Sequence, residues 1–464
     1  MLGKLLQPEV QSLVTARDFV RLRELFSEWA PADLADVVAD LPDEDKVVVF
    51  RVIPQALAAD VFEYLDPDEQ EELLHSMGRE QAVAILNEMS PDDRTTLLEE
   101  LPPETVKGLV ASLSPSERAV AQKLLGYPEG SVGRLMTPDF IAIKSDWTVS
   151  QVLDDVRMRG RDSETLNVLY VVDDHGKLVD DLRIREFLTR PLTALVSDLM
   201  NDSFITLAVA DSQESAVALF RKYDRTVLPV CDGGGRLLGV VTVDDVLDVA
   251  EEEATADAHK FGGLEAPLDL PYMSSGLWEL FRKRGSCLVI LFASELLTAT
   301  AMQKYNDDIE KAVALALFVP LVMSSGGNSG SQASTLVIRA MALGEVSIRD
   351  WWRVAGREII SGLSLGVLLG ACGFARISIW TMLGWDHGQY SDHPYILAAA
   401  VGIALIGIVA WGSLAGSMLP FVLKFFKFDP ATSSAPFVAT LVDVTGLIIY
   451  FTVAALIFLP HLAH

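Results

Sequence analysis

Ser324-Ser325-Gly326-Gly327-Asn328-Ser329-Gly330-Ser331-Gln332 is a run of small and polar residues set inside an apolar stretch, 312–338. That stretch is long enough to cross a bilayer, which takes about 20 residues of helix. Four more apolar runs match or nearly match it: 286–302, 359–383, 395–423 and 435–459. Residues 276–464 therefore read as a transmembrane domain of five helices. A polar insert at membrane depth is costly and marks a pathway more often than not. The reading favoured here is that it interrupts the second span and frees backbone carbonyls. Such carbonyls are tolerated only where they line a cavity or are buried in protein. Close packing of helices through small residues is the alternative.

Working outward, charge separates this region from the rest. The chain has 464 residues, 37 Lys+Arg against 64 Asp+Glu, and a net charge of -27. Its mean hydropathy is nevertheless +0.31. From Gly276 onward basic and acidic residues balance at 12 each, so the whole negative charge lies in the first 275 residues. A single soluble globule is excluded, as is a nucleic-acid binder, which needs a basic face. An acidic module joined to a membrane domain fits. The three cysteines, Cys231, Cys287 and Cys372, form neither a disulfide framework nor a CxxC motif. The first residues have no long apolar core, so the acidic module is expected in the cytoplasm.

Loop charge orients the spans. Arg282, Lys283 and Arg284 precede the first; Arg339, Arg349, Arg353 and Arg357 lie between the second and third; Lys424 and Lys427 lie between the fourth and fifth. The remaining loops carry Asn306-Asp307-Asp308, with Lys304 and Lys311, and Asp386-His387-Gly388. Positive charge stays inside, so the expectation is an inner-membrane protein with its N-terminal module cytoplasmic and its C-terminus outside. His387 and His393 read as ordinary surface residues of an outside loop.

Residues 1–131 read as an all-α, repetitive N domain. Proline recurs at Pro31, Pro42, Pro54, Pro67, Pro91, Pro103 and Pro115, with one period skipped near Arg79. The pattern is an Asp or Ser cap, Pro at the first helical position, then acids in the first turn. Short helices stacked in this way make a small superhelix. Residues 132–247 change to short β-branched strands alternating with helices, in two similar halves. Leu135-Met136-Thr137-Pro138 answers Leu199-Met200-Asn201-Asp202, and Leu169-Tyr170-Val171-Val172-Asp173 answers Leu228-Pro229-Val230-Cys231-Asp232. This tandem resembles a pair of CBS domains, an α/β fold whose members often bind adenine nucleotides. The resemblance implies ribose contacts from Thr242 and Asp245 and makes ATP a candidate ligand; a purely structural or ion-sensing pair is the other reading. In the first half Arg183-Ile184-Arg185-Glu186 stands at the corresponding place. Residues 248–275 read as a polar connecting helix and linker, ended by Gly262-Gly263 and Pro267.

Chemistry is sought among polar groups inside the spans. Asp443 sits in the fifth, beside Ala439 and Thr440; Glu295 sits in the first, Arg376 in the third and Asn328 in the second. Asp443, Asn328, Ala439, Thr440 and Glu295 are the candidate pore ligands. Oxygen-only donors suit Mg2+ or Ca2+, whereas Zn2+ and copper want His or Cys. An Asp443–Arg376 pair and a structural role for Glu295 are the plainer alternatives. There is no Walker motif and no Ser-His-Asp, HExxH or CxxC arrangement, so no enzyme is expected.

Pro320-Leu321-Val322-Met323, continuing through the polar insert to Ala333, is similar to the signature of the MgtE magnesium channel/transporter family. So is Asp429-Pro430-Ala431 followed by Pro436-Phe437-Val438-Ala439-Thr440-Leu441-Val442-Asp443. The order of parts matches too: helical N domain, CBS pair, connecting helix, five spans. The resemblance implies a Mg2+-selective homodimeric channel in membrane lipid, with Asp443 of each subunit holding hydrated Mg2+. It implies closure by cytosolic Mg2+ bound at Asp60, Asp92, Glu214, Asp224, Asp245, Asp248 and Glu253. Two positions acidic in the family read Thr96 and Ala256. A coupled secondary transporter of divalent cations and a membrane-tethered nucleotide sensor are the alternative functions.

Overall fold

The computed structural model describes residues 2–161, 163–264, 268, 275–305, 313–385, 390, 393–432 and 435–461. Most of the linker after Leu264, Asn306-Asp307-Asp308, Lys311 and Asp386-His387-Gly388 lie outside the described residues. Two compact units divide the chain, 1–252 and 253–464.

In the first unit the proline period becomes a row of helices: Pro31–Ala39, Asp43–Val52, Gln55–Glu63, Pro67–Ser76, Arg79–Glu88, Pro91–Glu100, Pro103–Ser112 and Pro115–Leu124. The skipped period is filled by Arg79–Glu88, whose N-cap is Gly78 instead of a residue before proline. Proline opens the helix at Pro31, Pro91, Pro103 and Pro115, where its missing N–H has no partner to lose. Pro42 and Pro54 are themselves the N-caps, one position earlier than expected. Of the expected Ser and Asp caps, Ser114 accepts from Glu117 N–H, whereas Asp66 and Ser90 make no cap bond to the backbone. Most of these helices pack on the next but one, as Gln55–Glu63 does on Arg79–Glu88 and Pro67–Ser76 on Pro91–Glu100. Phe26, Phe50, Phe62, Leu86 and Leu98 are buried between them.

The two strand halves form two three-stranded sheets. In the first, β1 (Ala142–Ile143) runs parallel to β2 (Val168–Val172), which pairs antiparallel with β3 (Leu178–Arg183). The second repeats this with β4 (Leu207–Ala208), β5 (Val227–Cys231) and β6 (Leu237–Thr242). The hairpin turns are built alike. Asp173 accepts from the N–H of His175 and Lys177, and Asp232 from those of Gly234 and Arg236. Gly176 and Gly235 follow at φ 78° and 79°, which a side chain would disfavour. The turns also bond each other, Leu178 N–H to Gly235 O and Leu237 N–H to Gly176 O. That reciprocity makes the halves a pseudo-twofold pair. From β6 the chain enters a helix, Val243–Phe261, with no break at 247/248.

In the second unit five helices are long and apolar enough to cross a membrane: Leu277–Lys304, Val313–Ala342, Ile348–Met382, Pro394–Phe425 and Ala435–His461. The second span corrects an expectation. Its helix runs unbroken from Val319 to Ala342, straight through the polar insert, so Ser324–Gln332 frees no run of carbonyls. The break falls earlier, at Leu317-Phe318, just ahead of Pro320. Proline tolerates a first-turn position and breaks a helix interior. The insert serves packing instead. A Cβ on Gly330 would meet Gly412 O at 3.0 Å, and one on Gly416 would fall inside the contact radius of Gly330 O. Ser329 Oγ and Ser413 Oγ share a buried 2.7 Å hydrogen bond across the same seam. The third and fourth spans meet likewise: Gly362, Gly366 and Gly370 recur every four residues, and a Cβ on Gly370 would sit 2.6 Å from Gly402 O. With no water to expel, such helices hold by close van der Waals contact. Gly416→Val is therefore expected to force the second and fourth spans apart and to lose monodisperse protein in detergent, read by size-exclusion profile. Gly285→Val, at an open position, should leave the profile unchanged.

Candidate ion pathway and acidic cytosolic cluster

The fifth span presents Ala439 and, one turn on, Asp443, half-buried on the same face. Gly327 of the second span lies opposite: a Cβ there would stand 3.3 Å from Ala439 Cβ and 3.6 Å from Asp443 Oδ1. An alanine at 327 would press on Ala439 and touch the carboxylate, and a longer side chain would crowd it. Asn328, next to Gly327 in sequence, is exposed, and its Nδ2 donates to Ser324 Oγ at 3.3 Å. Glu295 of the first span is exposed and close enough for its charge to act on Asp443. Thr440 departs from the expected set. It is buried, and its hydroxyl donates to Pro436 O at 3.0 Å, so it faces the packed seam. Arg376 makes no pair with Asp443; its guanidinium lies over Trp380. The candidate pathway thus has the carboxylates of Asp443 and Glu295 near each other, with Asn328 next in sequence to Gly327, an oxygen-rich, net-negative set of the kind that suits a hard divalent cation.

Between the fourth and fifth spans, Asp429 Oδ1 accepts from Ala431 N–H and Oδ2 from Lys260 Nζ at 2.7 Å. Lys260 is near the end of the helix Val243–Phe261. The last turn of the connecting helix is thereby tied to the loop that leads into the Asp443 helix.

The first unit holds a second acidic site. Ser90 N–H donates to Glu63 Oε1 at 2.8 Å, fixing the start of the helix Pro91–Glu100, and Ser90 Oγ donates to Asp93 Oδ2 at 2.7 Å. Asp92, in that first turn, is 4% exposed, and its Oδ1 has no hydrogen-bond partner. Facing it is the first turn of the connecting helix, with Asp244 and Asp245; Thr242 Oγ1 donates to Asp245 Oδ2 at 2.7 Å. Burial, then the charge of Asp245, Asp93 and Glu164, holds Asp92 well above the usual carboxylate range. Burial pushes Asp245 up to about 7, against the Thr242 bond and with help from Asp93, Asp244 and Glu164. Glu63 is raised by burial to about 7. Asp93, Glu164 and Asp248 are raised as well, burial being the main cause in each. These groups repel one another in a poorly solvated place. Among the described residues no three carboxylates or imidazoles converge tightly enough to chelate an ion directly. A cation would therefore be held by carboxylates partly through its own waters, as Mg2+ prefers. Asp92 Oδ1 is left with an unused acceptor position facing this cluster.

Asp92, Asp245 and Asp248 of the expected set are brought together, and Asp60 is near Glu63. Glu214 and Asp224 are exposed elsewhere, on the helix Gln213–Tyr223 and at its C-cap; Glu253 is exposed on the connecting helix. Glu63, Asp93, Glu164 and Asp244 were not singled out from sequence. Thr242 and Asp245, expected at a ribose, bond each other and face the acidic cluster. The pseudo-twofold mate of that place is a cleft of about 390 Å³ lined by Asn167, Arg183, Arg185, Asp224 and Arg225, among others. One half thus offers acids and the other arginines. Arg225 Nη1 is 3.2 Å from buried Asp181, which burial still holds up near 6.

Comparison with known proteins agrees with this layout. A family model described as a divalent cation transporter matches residues 319–453, the MgtE intracellular N domain matches 29–130, and CBS domains match 132–191 and 196–252. The chain is 38% identical over 451 residues to a magnesium transporter of Thermus thermophilus, covering 97% of each. It is 28% identical to one of Bacillus subtilis over 94% of this chain and 93% of that one. Among solved structures it is similar to the cytosolic domain of a Mg2+ channel in complex with ATP, with 36% identity and a TM-score of 0.51. That match covers 52% of this chain and 99% of the other. The soluble part of a magnesium transporter gives 27% identity, a TM-score of 0.52, and coverage of 54% and 99%.

Proposed function

Since the chain belongs to the MgtE family of divalent cation transporters, we propose that it is a Mg2+ channel of the inner membrane, closed by cytosolic Mg2+. It is a membrane protein with a cytosolic N-terminal module, and its family is one of transporters, not enzymes. Magnesium as cargo is supported by relatives named magnesium transporters over nearly the whole chain. The observation that carries the reading is Asp443 facing the side-chain-free Gly327, with Glu295 and Asn328 nearby. Mg2+ gives up its waters reluctantly. A passage for it must hold a hydrated ion by charge and hydrogen bonds, which these oxygens can do. We place two copies around one path, so that Asp443 acts from both sides.

The gate in this proposal is the acidic cluster. Mg2+ between the Asp92 helix and the Asp245 helix relieves their mutual repulsion and draws them together. The connecting helix carries that change to Asp429 through Lys260. A ligand shifts such an equilibrium only by binding the closed state better than the open one. The arginine-lined cleft is proposed to take ATP by its phosphates, in keeping with the ATP complex of a similar domain. Mg2+ flux into proteoliposomes, with internal Mg2+ varied, tests the whole. Current without a counter-ion gradient is expected; a strict need for one would mean a coupled carrier.

Orientation supplies a separate expectation. With the basic loops inside, a reporter fused after Leu459 is active only in the periplasm. Cytoplasmic activity there would contradict five spans.

A further inference from the structure

Arg376 is the basic residue that the pathway leaves unused. It lies in the helix Trp351–Met382, six residues before its end, or about 9 Å along the axis. Its side chain is exposed, at the flank of the glycine stripe that packs against the fourth span. The guanidinium carbon sits 3.0 Å from the centroid of the Trp380 ring, one turn nearer the helix end. Nη1 donates to Tyr390 Oη at 3.4 Å. Among the described residues no carboxylate is within ion-pairing distance of it. The side chain therefore reaches along the helix towards the bilayer surface, as long basic side chains do. A guanidinium has five N–H donors in a planar fork, and among the described residues one long bond to a phenol engages a single one of them. Trp385 stands edge-on to Trp380 with centroids 5.4 Å apart, so two indoles mark the interfacial depth. Near the same end of the helix the exposed Ile379 and Met382 present apolar surface to acyl chains.

We propose that Arg376, backed by Trp380 and Tyr390, binds the phosphate of an anionic phospholipid at the Met382 end of the third span. A fork of donors fits two phosphate oxygens at once. With no carboxylate paired to it among the described residues, the guanidinium favours a headgroup with a net negative charge over a zwitterionic one. The flanking apolar side chains favour a lipid over free phosphate. The proposal rests on the third helix lying in a bilayer; it does not depend on which ion is carried or how the gate works.

The test uses the full-length protein in neutral detergent, titrated with short-chain phosphatidylglycerol, short-chain phosphatidylcholine or inorganic phosphate. Bound lipid is read by native mass spectrometry and thermal stability by unfolding. Wild type is expected to retain and be stabilised by phosphatidylglycerol, and by neither of the others. Arg376→Gln should weaken phosphatidylglycerol binding about tenfold, the loss of one charge-assisted contact. Arg376→Lys should keep part of it. Equal stabilisation of wild type by phosphatidylcholine or by phosphate alone would overturn the proposal without any variant. Undiminished phosphatidylglycerol binding by Arg376→Gln would also do so. Loss of the oligomer in Arg376→Gln before lipid is added would instead assign the arginine to a protein contact. Mg2+ flux is a separate readout: a channel that fails to conduct Mg2+ yet binds the lipid leaves this inference standing.

Discussion

Asp443→Asn is expected to abolish Mg2+ uptake while leaving the amount and oligomeric state of the protein unchanged. The substitution keeps size and shape, so the seam between the second and fifth spans, closed by Gly327 against Ala439 and Gly330 against Val438, is undisturbed. What disappears is the negative charge facing that seam. A hydrogen bond to a charged group is worth about 1.5–3 kcal/mol net. In a dimer both copies lose it, so flux should fall by at least about a hundredfold, 1.4 kcal/mol being a factor of ten. Glu295→Gln should cost less, because Glu295 is exposed and its charge is better screened. Gly327→Val provides the steric counterpart: the charge stays, and the space beside Asp443 Oδ1 is filled. The measurement is Mg2+ entry into proteoliposomes by a fluorescent indicator. Wild-type flux in Asp443→Asn, with normal assembly, would remove the charge from the mechanism.

Why some of this could be read from sequence and some could not follows from how far apart the interacting residues are. The spans are local facts: a run of about 20 apolar residues has one outcome in a bilayer. The proline period is local as well, and even its gap resolved into a helix, Arg79–Glu88, because apolar spacing persists where proline does not. The polar insert 324–332 was harder. Small residues at four-residue spacing are compatible with both an unwound segment and a tightly packed helix. Only the partner glycines, Gly412 and Gly416, more than 80 residues on, decide for packing.

The acidic cluster shows the same limit. Asp92 and Asp245 were reachable through a family resemblance, but Glu63 and Glu164 come from a helix end and a loop with no motif of their own. Their only sequence signal was a surplus of acids, which elsewhere in the module caps helices or keeps it soluble. The Thr242–Asp245 motif, being local, is compatible with both a nucleotide site and an ion-sensing one. Its actual surroundings are set by the helix Pro91–Glu100, which the motif cannot report. Conversely Arg183 and Arg185, which stood out as a departure from that motif, prove to line the opposite cleft with Arg225.

Asp92→Asn/Asp245→Asn is expected to leave Mg2+ current flowing at high internal Mg2+ and to remove Mg2+ protection of the cytosolic module against protease. Two expectations compete. Neutralisation relieves repulsion and could let the Asp92 and Asp245 helices close without an ion. It also removes the oxygens that would bridge them. Bridging should win, since point-to-point attraction through a buried divalent ion is screened far less than the diffuse repulsion of surface acids. An ungated channel is therefore expected; constitutive closure in the double variant, with normal assembly, would defeat the ion-bridge account. The pH dependence provides an independent check. In unfolded chain these carboxyls release protons near pH 4, whereas in the folded module Asp245 and Glu63 hold theirs to about 7. Between those values the folded state binds more protons, so without Mg2+ its stability falls as pH rises from about 4 to about 7. Each pH unit of displacement is worth about 1.4 kcal/mol, enough to move the Tm of the Mg2+-free module by several degrees. Protons and Mg2+ compete for the same oxygens, so apparent Mg2+ affinity should rise across the same window. In Asp92→Asn/Asp245→Asn the stability profile should be distinctly flatter, with only Glu63 and its raised neighbours still titrating, and added Mg2+ should no longer raise Tm. An unchanged slope in the double variant would place the proton-linked stability outside this cluster, and the gate with it.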